Sequence, residues 1–500
     1  MPKNKRKFYI TTAIDYANAP LHLGHALEKV QADVLARYHR FLGEDVFFLT
    51  GSDENAQKNI QTAKEKRIPV KELVDKNVDS FRKTLRILNI SNDDFIRTSD
   101  KKRHWPGVRK LWQECQKRGD IYKKRYSGFY CLGCEAFLTK KDLKNGLCPE
   151  HLRKPEKVCE ENYFFRLSKY QTRLGELIES GKLKIFPDKR KNEILSFIKS
   201  GLEDFSISRP VKRIGKWGVS VPGDKSQIIY VWYDALSNYI TALGYGSEDE
   251  KRFIKYWPAD IHIIGKGIIR FHAVYWPAIL LSAGIKLPRL IYVHGYLTIN
   301  GQKISKSLGN IINPAELVGK YGTDAVRYFL LREILPTEDG DFSYKKFEER
   351  YNSDLANGLG NLVSRVISLY SKIKKKINFS TVESKDFNKV IKKTWALHRK
   401  YLKEFRFNDA LVNIWQLISF SDRHIEKEKP WELISTTKRE NAIKIKEEAE
   451  NKLERILGNL LFTLKNLAEL ILPFMPETSG KISKKLKNKD KNPLFPRLTK

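Results

Sequence analysis

Phe8-Tyr9-Ile10-Thr11-Thr12-Ala13 is a short β-branched and aromatic run, Asp15 to Pro20 interrupts it with turn-formers, and Pro20-Leu21-His22-Leu23-Gly24-His25 leads directly into a helical pattern. Leu27, Val30, Val34, Leu35, Tyr38 and Phe41 carry that pattern, Gly43 ends it, and Val46 to Leu49 gives the next strand. Strand, loop, helix and strand make a βαβ unit. Its right-handed crossover implies a parallel sheet that binds ligands at the carboxyl ends of its strands. The same grammar returns at Ile228–Trp232, Ile261–Ile264 and Leu290–His294, which read as buried strands with helical segments between them. One α/β sheet is therefore expected to be built from two separated halves, residues 1–114 and 228–297.

Between the halves, over about 115–227, the texture changes to glycine, cysteine, lysine and short apolar runs, as expected of an inserted domain. A polar connecting region follows at 298–351. From about 352 to 500 the strand signals fade. Amphipathic patterns over Leu355–Ile373, Phe387–Phe405, Ala410–Ile425 and Ala442–Leu472 predict a helical bundle there.

Composition bounds the function. At 41% hydrophobic and 11% aromatic the chain can bury several cores, and 500 residues call for more than one. Lys and Arg outnumber Asp and Glu by 93 to 59, a net charge of +34 that exceeds what solubility needs. A polyanionic partner is implied, nucleic acid first, although lysine-rich surfaces also occur without one. Met1–Lys7 runs straight into an apolar segment without room for a signal peptide, and the most apolar stretch, Trp276–Ile285, is too short to span a membrane. The expected place is the cytosol, where the five cysteines should be free, catalytic or metal-bound.

Two features suggest a phosphate ligand. His22 and His25, three apart at the start of the first helix, can both donate to phosphate oxygens beside the positive helix end, and Gly24 permits close backbone approach. Far along the chain, Asn300-Gly301-Gln302-Lys303-Ile304-Ser305-Lys306-Ser307-Leu308-Gly309-Asn310 is a polar loop with two lysines three apart. Lysine supplies a point charge suited to phosphate oxygens whose charge grows during transfer. Either feature alone is commonly a surface turn. Their pairing in one split sheet is what a surface-turn explanation leaves unaccounted for.

Cys131-Leu132-Gly133-Cys134 is followed, thirteen residues on, by Cys148-Pro149-Glu150-His151. Two such corners with one histidine form a tetrahedral zinc signature, with Cys131, Cys134, Cys148 and His151 as ligands. No position is left for water, so the ion would be structural. Cys115 and Cys159 remain over, and Cys159 is the rival for the fourth position.

The strings at 22–25 and 303–307 resemble the two signatures of class I aminoacyl-tRNA synthetases. Thr12–Asn18, Glu161–Phe165, Tyr230–Ala235 and Ile268–His272 narrow the resemblance to the methionyl-tRNA synthetase family, nearly end to end. The resemblance implies a Rossmann-like catalytic domain split by the zinc-bearing insertion, a stem-contact region at 298–351 and an anticodon-binding bundle. It also implies the reaction: methionine and Mg-ATP give methionyl-adenylate, and the methionyl group passes to the 3′ end of tRNA(Met), the initiator included. His22, His25, Lys303 and Lys306 would be catalytic, and Gly24, Gly265 and Gly267 would join them around ATP. Methionine would be held by Ala13, Ile14, Tyr16, Trp232, Ala235, Tyr239, Ile268 and His272, with Asp53 on its ammonium. Such aromatic and aliphatic walls suit a polarizable thioether.

Synthetases for isoleucine, valine and leucine carry a large editing domain because an apolar pocket discriminates poorly by one methylene. The 115–227 insertion is too small for one. Asn361, Arg365 and Trp431 match the family's anticodon-reading positions, where arginine and asparagine bond base edges and an exposed indole stacks on a splayed base. After Phe495-Pro496-Arg497 no OB-like module follows, so a monomer is expected.

Two places break the pattern. Gly267 stands where the family usually has the aspartate that binds the ATP ribose, and Asp53-Glu54-Asn55-Ala56 replaces the commoner D-E-H-G. A tRNA-binding paralogue that has lost catalysis is therefore the competing expectation.

Overall fold

The computed structural model describes residues 5–131, 136–138, 142–149, 152–304, 309–373, 375, 377–439 and 443–498, with backbone only at Ala136, Phe137, Lys303, Lys438 and Arg439. The chain forms two compact units, one of residues 1–86 and 90–294 and one of 87–89 and 295–500.

The first unit is organised by a seven-stranded, all-parallel path. Its strands are β1 (Lys7–Thr12), β2 (Asp15–Tyr16), β3 (Asp45–Asp53), β4 (Asp94–Arg97), β5 (Lys184–Phe186), β6 (Ile261–Gly265) and β7 (Leu290–His294). The order is β2-β3-β1-β6-β7-β5, with β4 also on β3. Strand β1 is central, buried on both of its faces, and it pairs with β3 on one side and with β6 on the other, Ile10 opposite Ile261. The two halves of the sheet, more than two hundred residues apart in sequence, thus meet along one ladder. Helix α1 (Leu23–Phe41) crosses from β1 to β3, and its left-handed exit is Gly43 at φ 82°.

Two elements differ from expectation. Ile228–Trp232 is not a strand of the parallel sheet: the strand Asp224–Ile229 pairs antiparallel with Ser208–Pro210 in a separate three-stranded sheet, and the chain turns into the helix Val231–Leu236 at Tyr230. A short apolar run looks the same whichever partner buries it. Conversely, β5 lies inside the 115–227 segment yet extends the parallel sheet on β7, and its three residues are too few to show a period. The rest of that segment holds a four-stranded antiparallel sheet built on the long pairing of Ile121–Cys131 with Glu156–Phe165.

The second unit begins with the small sheet of Leu297–Ile299, Gln302–Lys303 and Gly340–Phe342. Asn300 and Gly301, both at positive φ, make its tight hairpin, the pairing that a right-twisted two-residue turn prefers. Helices then dominate, at 361–371, 385–403, 407–428, 443–471 and 476–488. Buried Arg327 ties helix 323–332 to the carbonyls of Pro473 and Phe474 at 3.0 and 2.8 Å. Among the described residues no helix is long and apolar enough to cross a membrane.

Candidate active site

His22 is the N-cap of α1, and its Nδ1 accepts the amide of Gly24 at 3.1 Å. His25, one turn on, accepts the amide of His22 on its own Nδ1 at 3.1 Å. The two histidines thus form the reciprocal cap usually made by Ser or Thr with Glu. A backbone N–H can only donate, so both Nδ1 atoms are acceptors and each neutral ring carries its proton on Nε2. Burial, helped by the neighbouring ring, lowers His22 to about 3, and burial lowers His25 against the pull of Asp15. The rings stack at 3.8 Å. Two neutral N–H donors therefore sit together at the positive end of a 19-residue helix with no acidic residue in its first turn. That arrangement is chemically suited to anionic oxygen.

The residues expected to hold methionine gather around the same strand ends and the helices that follow them. Tyr16 lies in register with Asp53 at the end of β3, and Ala13 continues β1, its amide donating to Ile263 at 3.1 Å. Asp53 is buried, with its carbonyl accepting from Ala17 and from the Asn59 side chain, both at 3.0 Å. Tyr16 and Trp232 pack beside a small cluster of Ala56, Tyr230 and Val231. Ala235 and Tyr239, both buried, follow on the helices after Trp232, while Ile14 and Ile268 are half-buried against the main core. Trp232 stacks on Phe271 at 3.8 Å and 3°, and its edge faces His272.

The Tyr239 hydroxyl and His272 Nε2 are 2.7 Å apart, and His272 Nδ1 lies 3.0 Å from the Ile268 carbonyl. A carbonyl only accepts, so His272 donates from Nδ1 and takes the tyrosine proton on Nε2. Burial lowers His272 to about 4. Above pH 6.5 this costs nothing, because both folded and unfolded chains are neutral there. As pH falls from 6.5 toward 4, the unfolded chain takes up a proton that the folded one refuses, and stability drops by on the order of 3 kcal/mol. His272→Gln should flatten the fall of the thermal midpoint across that window; an unchanged pH dependence contradicts the assignment.

The remaining residues are placed as follows. Gly265 ends β6 opposite His294, and Gly267 is exposed in the short turn after it. Lys303 pairs by backbone with Thr298 in the second unit, and Lys306 lies outside the described residues. Asn55, at the departure from the usual motif, serves the fold: its amide donates to the Thr98 carbonyl at 2.9 Å and to Asp234 at 2.7 Å. Asn361 is exposed at the start of its helix, and Arg365 pairs with Glu426 at 2.7 Å and Asp422 at 3.6 Å. Trp431, in the first turn of the helix that begins at Pro430 after the left-handed Lys429, is 39% exposed and not a core residue.

Of the cysteine corners, Cys131 and Cys148 are described and buried, and Cys134 and His151 lie outside the described residues. The chain bends back at Cys148, whose amide reaches the Arg153 carbonyl at 3.0 Å and whose carbonyl accepts from Leu152 at 2.8 Å. Two buried cysteines, one at the end of the strand Ile121–Cys131 and one where the chain bends at 148, fit half of a thiolate donor set. Cys159 does not fit: it is exposed opposite Ser127, four residues and about 13 Å of strand from Cys131. Cys115 is buried with its thiol against the Ile279 carbonyl at 3.7 Å, and burial pushes it up to about 11.

Sequence reasoning missed the charges behind the histidines. Lys29, buried on α1, donates to the Ala13 carbonyl at 2.7 Å and to Glu28 at 2.8 Å and forms an ion pair with Asp15 at 3.0 Å, and His294 meets Glu28 at 3.0 Å. The available signal was Glu28-Lys29 set between Leu27 and Val30, on the apolar side of the helical pattern.

A family model described as tRNA synthetases class I (M) matches residues 8–157 and 141–367. The Methionine--tRNA ligase of Caldanaerobacter subterraneus subsp. tengcongensis is 43% identical over 486 residues, covering 96% of this chain and 74% of the relative. That of Thermotoga maritima is 42% identical over 496 residues, covering 97% and 76%. The structure of Mycobacterium tuberculosis methionyl-tRNA synthetase in complex with methionyl-adenylate superposes with a TM-score of 0.90 at 38% identity, covering 96% of this chain and 93% of that one. With a stacked histidine pair at the helix start, an aromatic pocket beside it and these matches over most of its length, the chain belongs to the class I tRNA synthetases, in the methionine group.

Proposed function

We propose that this chain is a methionine–tRNA ligase that activates methionine with Mg-ATP and charges tRNA(Met), initiator tRNA included. The observation that carries the reading is the pair of neutral Nε2–H donors stacked at 3.8 Å at the start of α1, beside a pocket with aromatic walls and one buried carboxylate. In the first step a methionine carboxylate oxygen attacks the α-phosphorus, the bond to the bridging oxygen breaks, and pyrophosphate leaves. Asp53 holds the ammonium, and Trp232, Tyr239, Ile268, His272, Ala13, Ile14, Tyr16 and Ala235 surround the thioether side chain. His22 and His25 donate to the phosphate oxygens, backbone at Gly24, Gly265 and Gly267 frames the nucleotide, and Lys303 and Lys306 supply the remaining positive charge. Catalysis is positioning and charge stabilisation, without a covalent enzyme intermediate. In the second step a ribose hydroxyl of the tRNA's terminal adenosine attacks the methionyl carbonyl and AMP leaves.

In this reading residues 1–114 and 228–297 form the catalytic domain, 115–227 the insertion, 298–351 the loop and stem-contact region, and 352–500 the anticodon-binding domain of a cytosolic monomer. Asn361 and Arg365 contact anticodon base edges, Arg365 by exchanging its carboxylate partners for RNA, and Trp431 stacks on a base. Charging of tRNA(Met) with labelled methionine tests the function. Trp431→Ala should lower charging at limiting tRNA about tenfold while leaving methionine-dependent pyrophosphate exchange intact, in line with the roughly 1–3 kcal/mol of a base–aromatic stack. Equal loss in both assays contradicts the anticodon role.

Cys131, Cys134, Cys148 and His151 would hold one structural zinc, supplying folding free energy to the cysteine-bearing end of the insertion. Elemental analysis should find about one zinc per chain, and Cys148→Ser should lose it and render the 115–227 segment protease-sensitive. Full zinc content in that variant contradicts the ligand set.

A further inference from the structure

Behind the two phosphate-facing histidines lies a buried ionic cluster to which the reaction assigns no part. His25 Nε2, the atom that must offer its proton to phosphate, stands 3.6 Å from Asp15 Oδ1. Left alone, that carboxylate would hold the imidazole proton, or favour uptake of a second proton from solvent to make an ion pair, and turn the donor away from the substrate. Asp15 is not left alone. Its other oxygen forms an ion pair with the Lys29 ammonium at 3.0 Å, and Lys29 donates hydrogen bonds to Glu28 and the Ala13 carbonyl at 2.8 and 2.7 Å. Two hydrogen bonds and one ion pair thus fix the lysine in place.

We propose that Lys29 is a positioning residue for adenylation: it neutralises Asp15, so that His25 keeps its Nε2 proton directed at phosphate, and it anchors the β1 end that walls the amino acid pocket. The assignment rests on the methionine–tRNA ligase reading only for its activity assay.

Every charged group facing His25 enters the balance. Asp15 comes from β2, Glu28 and Lys29 from α1 itself, His294 from the end of β7, and the stacked His22 from the helix cap. Glu28 is engaged by Lys29 and His294, so the carboxylate with access to the His25 ring is Asp15. Burial opposes the charge on Lys29, yet Asp15 and Glu28 raise its proton affinity above the ordinary lysine value. It stays charged across the working range.

The test is a titration of the imidazoles of the full chain by nuclear magnetic resonance, with His25 identified by substitution, alongside the pH profile of methionine-dependent pyrophosphate exchange. Lys29→Met should raise the His25 midpoint by about one pH unit or more, the size of effect an uncompensated neighbouring carboxylate produces. It should lower exchange at least about tenfold below that midpoint, with partial recovery above it. Adding Asp15→Asn should return both the midpoint and the profile toward those of the unsubstituted protein. If Lys29→Met does not fold, Asp15→Asn alone decides: it should lower the His25 midpoint further. A His25 titration indifferent to both substitutions overturns the proposal, as does a loss of exchange that is equal at every pH and unrelieved by Asp15→Asn. Absence of exchange in the unsubstituted protein would instead count against the ligase reading, while the titration still decides the role of Lys29.

Discussion

His25→Asn is expected to lower the rate of methionyl-adenylate formation by roughly 10²- to 10³-fold, the loss that follows removal of one preorganised donor to a developing oxyanion. Asparagine is the informative choice. Its side-chain oxygen can take the place of Nδ1 and still accept the His22 amide, which the native ring does at 3.1 Å, so the helix cap survives. What it lacks is a donor at the position of Nε2. His25→Gln reaches farther, places an amide N–H near that position, and should retain more activity than His25→Asn. Because the donor acts on charge that appears in the transition state, the fall should be in kcat, with KM for methionine little changed. Pre-steady-state quench measurements on both variants check this; equal activity of the two variants would remove the donor role from Nε2.

Asp53→Ala should produce the second large effect. Asp53 is buried at the end of β3, beside the half-buried Tyr16 with which it is in register. A methionine ammonium placed there without it would be a desolvated and unpaired charge, and truncating one partner of such a pair costs about 2–5 kcal/mol. The expected result is a 10²- to 10³-fold fall in kcat/KM for methionine with ATP binding nearly intact. A fall seen equally for ATP would place Asp53 elsewhere in the reaction.

The outline of the fold was legible where periodicity was long and one-sided. Helix α1 and strands β1, β3, β6 and β7 lie within a residue or a few of where apolar spacing put them, and the four long helical patterns after 352 are helices. Pairing partners were less legible. Ile228 and Ile229 are as apolar as a parallel-sheet strand, but Ser208 and Arg209 take their backbone bonds, and nothing local encodes that choice. Strand β5 was hidden by its length.

Within the site, the motif residues were legible because His22, Gly24 and His25 sit at a strand-to-helix junction. Their supporting charges were not. Asp15 and Lys29 meet across the junction only after the chain has turned, and His294 arrives from the other half of the sheet. A buried lysine is costly unless paired, so its presence on the apolar side of α1 was the trace that such a network leaves.

The most direct measurement is pyrophosphate exchange run with each amino acid in turn, on the unsubstituted chain and on Lys306→Ala. The account predicts ATP–pyrophosphate exchange with methionine and with no other amino acid at comparable rate, falling by at least about 10²-fold when Lys306 is removed. Exchange driven by another amino acid, no exchange at all, or a full rate without Lys306 would contradict it.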